Sequence, residues 1–148
     1  MSDRPLVLDC SILVKAITPE PLSEPCRALL ASQRRFLAPD LMPIELGNVL
    51  WKKVQRGLLA PGEALEAQQR LTALAPVRIL PSAPYQPRAL VLAMQHERSF
   101  YDSLYLALAE AEGGILVTAD ERLVNALAAT PLGSLLFWIG VGPAQILA

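Results

Sequence analysis

Two uninterrupted apolar runs constrain most of what this chain can fold into. "PLVLD" spans residues 5–9 and "ILVT" residues 115–118. A strand with one wet face alternates apolar and polar residues, whereas a strand covered on both faces need not. Further short runs at "RFLAPD" (35–40), "VRIL" (77–80) and "LLFWIG" (135–140) supply the other strand candidates, the last as an edge or final strand. Helical spacing fills the intervals between them. Short buried strands alternating with helices predict an α/β fold with a parallel sheet covered on both faces.

"SILVKAI" follows Asp9 and is broken by "TPEP". A helix over 22–33 has Ser23 or its neighbour as its candidate cap and Pro25 in its first turn. The segment 41–57 places Ile44, Val49, Leu50 and Val54 on its apolar side. "LAPGEALEAQQRLTALA" is expected to stop at Pro76. Residues 86–96 turn Leu90, Val91 and Met94 inward. "FYDSLYLALAEAEGG" (100–114) buries Leu104, Tyr105, Leu108 and Ala109 and ends at Gly113-Gly114. The helix after Asp120 holds Leu123, Val124 and Leu127.

A length of 148 residues suits one domain with a real core, and no boundary or internal repeat divides it. With 53% hydrophobic and 18% charged residues, intrinsic disorder is excluded. The net charge of -1 makes no global electrostatic case for nucleic acid, although local basic patches work on a near-neutral protein. Cys10 and Cys26 have no metal-type spacing and read as reduced thiols. The opening "MSDRPLVLDC" leads straight into a strand, and no apolar stretch is long enough to span a bilayer. A cytoplasmic protein is expected.

The acids give this pattern its chemistry. Asp9 ends the first strand and Asp120 lies just beyond the "ILVT" strand. Glu45 opens the helix after the second strand. Asp102 opens a helix that leads into "ILVT" and so starts at the same rim. In open α/β sheets, sites form outside the carboxyl ends of the strands. Each acid alone could be a cap or a dipole partner in a first helical turn. Four converging on one rim repel each other unless a cation lies between them, and hard oxygen ligands suit Mg²⁺ or Mn²⁺. Phosphoryl transfer or phosphodiester hydrolysis is the usual chemistry of such a group. Ser11 and Thr118 carry hydroxyls beside two of the acids.

Four stretches together resemble the PIN-domain ribonucleases, and within them the VapC-type toxins of toxin–antitoxin pairs. "LVLDCSILVK" carries an Asp-x-Ser pattern at Asp9 and Ser11. "APDLMPIELGNVLWK" carries Glu45 and Asn48. "SFYDSLYLALAE" carries Asp102, and "ILVTADERLVNAL" carries Thr118 and Asp120 in a Thr-x-Asp pattern. The resemblance implies one PIN-like domain over residues 1–148: a three-layer α/β/α arrangement around a parallel sheet of about five strands. It implies an endoribonuclease using Mg²⁺, with Mn²⁺ as a substitute. Its catalytic acids would be Asp9, Glu45, Asp102 and Asp120, supported by Ser11, Asn48 and Thr118, and its metal ligands Asp9, Asp102 and Asp120. It also implies a homodimer and a small antitoxin. The RNA is left open.

Lys15, Arg34, Arg35, Lys52, Lys53 and Arg56 are candidate RNA phosphate contacts, against the alternative of a solvated surface. Trp51, beside basic residues on its helix, is a candidate for a dimer or antitoxin surface. Trp138 and Tyr105 are assigned to the core, His96 to a helix end, and Tyr101 to the surface. Two competing functions use the same residues: a phosphohydrolase acting on small phosphate esters, and a non-catalytic domain that binds RNA or a partner.

Overall fold

A computed structural model describes residues 3–74 and 77–148. Five strands form one sheet: β1 (Leu6–Leu8), β2 (Phe36–Pro39), β3 (Val77–Leu80), β4 (Ile115–Thr118) and β5 (Leu136–Trp138). All four pairings are parallel, in the order β3-β2-β1-β4-β5. Parallel neighbours need crossovers, and helices supply them. These are α1 (Cys10–Ile17) and α2 (Ser23–Leu30) before β2, α3 (Leu41–Gln55) and α4 (Pro61–Leu74) before β3, and α5 (Gln86–His96) and α6 (Phe100–Ala111) before β4. Helix α7 (Glu121–Leu127) precedes β5, and α8 (Ala144–Leu147) follows it.

The central strand explains its own sequence. Leu6, Val7 and Leu8 are each 0% exposed. Successive side chains on a strand face opposite ways, so the two faces of β1 feed two cores. Leu6 and Leu8 join Phe36, Val117 and the α2 residues Cys26 and Leu29. Val7 joins Leu37, Leu116 and the buried faces of α3, α5 and α6. The result is a three-layer α/β/α arrangement. Among the described residues, no helix is long and apolar enough to cross a membrane.

The termini of α6 are set by local chemistry. Ser99 caps its start, its hydroxyl accepting the Asp102 N–H at 3.0 Å. Past its end, Gly113 takes a φ of +63°, a conformation that glycine adopts without strain. A side chain at Gly114 would stand 2.6 Å from the Pro5 carbonyl oxygen, so only glycine lets β4 run this close to the start of β1.

The structure corrects several details. Leu50 is buried as expected, but Ile44 is 71% exposed, and α3 turns Met42 and Leu46 inward with Leu50 at four-residue spacing. In α5, Leu90 and Met94 are exposed and Ala89 and Leu92 are buried. The short Ala89 side chain, 0% exposed, lets α5 sit close against α6. Ser23 does not cap α2. Leu22 precedes that helix in a left-handed conformation with φ +71°, and Ser23 donates to the Thr18 carbonyl at 2.7 Å. Trp138 is half-buried on edge strand β5, its ring lying over Gly140. The expected stop at Pro76 falls outside the described residues.

Candidate active site

Strand order places the site. From β1 the chain moves outward to β2 and β3, then returns to β4 on the other side of β1. The connections leaving the carboxyl ends of β1 and β4 therefore diverge, and ligands of open α/β sheets bind at such a crevice. Asp9 follows β1 there, and Thr118 and Asp120 lie at the end of β4.

A short hydrogen-bond network joins these two strand ends. One Asp9 carboxylate oxygen accepts the Ser11 N–H at 2.9 Å, and the other accepts the Thr118 hydroxyl at 2.9 Å. The Ser11 hydroxyl accepts the Ala119 N–H at 3.2 Å. The Thr118 hydroxyl oxygen accepts the Asp120 N–H at 3.0 Å, and the Asp120 carboxylate accepts the Leu123 N–H at 3.2 Å. Asp9 and Asp120 thus cap α1 and α7. Asp102 and Glu45 have no such duty. Ser99 caps α6 in place of Asp102, and the Glu45 carboxylate accepts the Tyr105 hydroxyl at 2.5 Å.

The acids sense one another. Burial raises the Asp9 carboxyl above the usual range, the Asp102 charge adds to this, and the Ser11 and Thr118 hydrogen bonds oppose it. Burial also raises Glu45, with Asp9 and Asp102 adding to the effect and the Tyr105 bond opposing it. Asp102 is raised by burial and by Asp120, against Ser99 and Arg98. Burial, Asp9 and Glu45 push the Cys10 thiol far up, so it stays protonated. Among the described residues, no three His, Cys, Asp or Glu side chains are gathered closely enough to hold a metal ion. The donor chemistry still fits a hard divalent cation: oxygen ligands only, with mutual repulsion that a cation would relieve.

Residues 6–127 match the family model of the PIN domain. This chain is a PIN-domain protein. Ribonuclease VapC3 of Pyrobaculum aerophilum is 33% identical to it over 121 residues, which cover 81% of this chain and 92% of the relative. Such kinship places the PIN domain in the VapC-type group. A solved structure from Pyrobaculum aerophilum superposes with a TM-score of 0.66 at 22% identity, covering 84% of this chain and 80% of that one. A toxin–antitoxin complex from Klebsiella pneumoniae gives 0.62 at 16% identity, covering 90% and 97%.

The candidate cations of this PIN domain separate into groups. Lys15 and Lys53 line a cleft of about 300 Å³ that Asp9, Ser11 and Glu45 also line. Lys52 and Arg56 are exposed on α3. Arg34 and Arg35 precede β2 and stand at the amino rim, away from the acids. The Arg34 guanidinium is engaged by the Ile146 carbonyl at 2.6 Å and the Arg4 carbonyl at 2.8 Å. Asn48 is exposed on α3, and Tyr101 is 58% exposed beside Asp102.

Two residues gain roles that their sequence context did not signal. Glu20 stands in a segment that reads only as a helix break, yet it accepts from Lys15 at 2.9 Å and Lys53 at 3.0 Å, and from the Thr18 hydroxyl. Burial opposes its ionisation, but these bonds prevail and hold its carboxyl down at about 2. Tyr105 is buried, as expected of a core residue, but its hydroxyl also serves Glu45 across 60 positions of sequence. Because that hydrogen bond favours the carboxylate, Glu45 should titrate higher in Tyr105→Phe than in wild type. Carbon-13 NMR of the Glu45 carboxyl against pH measures it, and an unmoved titration would show that the hydroxyl has no hold on the acid.

Proposed function

We propose that this chain is a metal-dependent endoribonuclease and the toxin of a toxin–antitoxin pair. The observation that carries this reading is the placement of Asp9, Glu45, Asp102 and Asp120 at the carboxyl rim of the sheet, around its switch point. The ribonuclease relative supports the reaction class, and the Klebsiella complex supports the partner class. The whole chain, residues 1–148, acts as one domain in the cytoplasm under this reading.

Asp9, Asp102 and Asp120 would hold Mg²⁺ directly or through water, with Mn²⁺ as a substitute. The chemistry such a cation would supply is activation of water and relief of the charge that builds on the phosphoryl oxygens. The remaining steps belong to the chain. Glu45 takes the proton of the attacking water as its oxygen bonds to phosphorus, and the ribose oxygen departs with a proton taken from solvent water. A carboxyl raised towards neutrality suits that duty. Tyr105 orients Glu45. Ser11 and Thr118 hold Asp9 and the Asp120 backbone, and Asn48 supports the helix face that carries Glu45.

Purified free of antitoxin, the protein should cut total cellular RNA in Mg²⁺ or Mn²⁺ and stop in EDTA, with the new ends mapped by sequencing. End maps shared by wild type and Asp102→Asn would defeat the ribonuclease reading. The chain is also proposed to act as a homodimer, with Trp51, 56% exposed on α3, on a dimer or antitoxin surface. Sedimentation at micromolar concentration should give roughly twice the 16.0 kDa chain mass. A monomer throughout that range would rule the dimer out.

A further inference from the structure

The cleft beside the carboxylates has a wall of opposite sign. Lys15 comes from α1 and Lys53 from α3, and Glu20 lies in the loop before α2. Each Glu20 carboxylate oxygen takes one ammonium, at 2.9 Å and 3.0 Å. The two lysine side chains are only 22% and 18% exposed, so their positions are well restricted.

We propose that Lys15 and Lys53 form a subsite for an RNA backbone phosphate next to the one cleaved, with Glu20 holding the two ammonium groups side by side. The inference rests on the ribonuclease reading and adds where the polymer is gripped.

Charge and donor counts support it. Two cations and one carboxylate leave a surplus of one positive charge, whereas a purely internal pair would balance. An ammonium has three N–H donors. Each lysine gives one to Glu20, and among the described residues no other protein acceptor engages either ammonium. The free donors belong to residues lining the same cleft as Asp9 and Glu45. A polyanion approaching an acidic site is repelled, and a local cation pair offsets that repulsion where the strand must enter. Long lysines lose rotamer freedom when they bind a phosphate. Glu20 has already restricted both, so less freedom is lost on binding.

The test measures binding without cleavage. A labelled single-stranded oligoribonucleotide is titrated by fluorescence anisotropy with Asp102→Asn protein in EDTA, across a range of salt concentrations. On single strands, each phosphate neutralised contributes about 0.7 to the slope of log affinity against log salt. Lys15→Gln and Lys53→Gln should each lower that slope by about 0.7. Arg70→Gln, at a cation 61% exposed on α4, should not change it. Removing one lysine strands part of the ion group, so Lys15→Gln/Glu20→Gln/Lys53→Gln is measured too, with a thermal melt to verify folding. Its slope should also fall by about 0.7, since the group as a whole neutralises one phosphate. Glu20→Gln alone removes a negative charge, so simple electrostatics predicts tighter binding, whereas a positioning role predicts weaker binding.

Unchanged slopes in the lysine variants, or an equal loss in Arg70→Gln, overturn the subsite. Tighter binding by Glu20→Gln overturns its positioning role. If RNA is cut in metal while the slopes stay unchanged, the subsite alone falls. If the Asp102→Asn protein binds no RNA at any salt and the wild type cuts none, the ribonuclease reading falls with it.

Discussion

Asp102→Asn and Glu45→Gln should each lower ribonuclease activity about 10²-fold or more, with the circular dichroism spectrum unchanged. These two acids make the cleanest test because the fold does not use them as caps. Ser99 already caps α6, so the Asp102 carboxylate is spared that work. Glu45 bonds to Tyr105, and a glutamine can still accept that hydroxyl. The lost charge therefore falls on the transition state, and kcat should drop with little change in KM. Asp9 and Asp120 are poorer choices. Each caps a helix, and the second Asp9 oxygen also ties β1 to β4 through Thr118. Single-turnover cleavage of one mapped RNA site gives the comparison. A rate within a few-fold of wild type in Asp102→Asn would dispose of this mechanism.

The second large effect is on stability. Mn²⁺ at about a hundred times its Kd should raise the melting temperature by roughly 5–10 °C, since a ligand of the folded state alone stabilises it by mass action. The metal-free protein should show the opposite side of the same acids. Burial, followed by neighbouring acids, raises Asp9, Glu45 and Asp102. A carboxyl raised on folding contributes stability that is complete below its unfolded pKa and is lost as pH rises through its folded pKa. These acids therefore weaken the metal-free fold from about pH 4 upward. Asp102→Asn removes one of them, so in EDTA at pH 7 it should melt above wild type, and the gap should close on acidification towards about pH 4. It should also gain less from Mn²⁺. Differential scanning calorimetry at both pH values decides it. An Asp102→Asn protein that melts lower in EDTA, with the full Mn²⁺ response retained, would mean that these acids carry no stored repulsion.

What the sequence made legible follows from what local pattern can encode. β1 and β4 are readable because Leu6–Leu8 and Leu116–Thr118 are buried on both sides and carry no alternation to blur the signal. The rim position of Asp9, Glu45, Asp102 and Asp120 followed from strand and helix direction. The buried face of α5 was misread because alanine carries little hydrophobic weight. Leu90 and Met94 outscored Ala89, yet the small residue is the one that fits against α6. The exposure of Ile44 follows the same way, since Met42, Leu46 and Leu50 already fill the α3 contact. Nothing local paired Glu20 with Lys53, 33 positions along the chain. Nor could the bare letters separate Arg34 at the amino rim from Lys53 at the cleft.

At that amino rim Arg4 reaches the carbonyls of Gly113 and Gly114, at 3.0 Å each, and Arg34 reaches those of Arg4 and Ile146. Two guanidinium groups thus lash together the entries to β1, β2 and β4 and the segment leading to residue 148. A fluorophore or fused partner attached beyond α8 would hang from the side of the sheet opposite the acids. It could signal RNA capture or dimer formation without standing in the path of the strand.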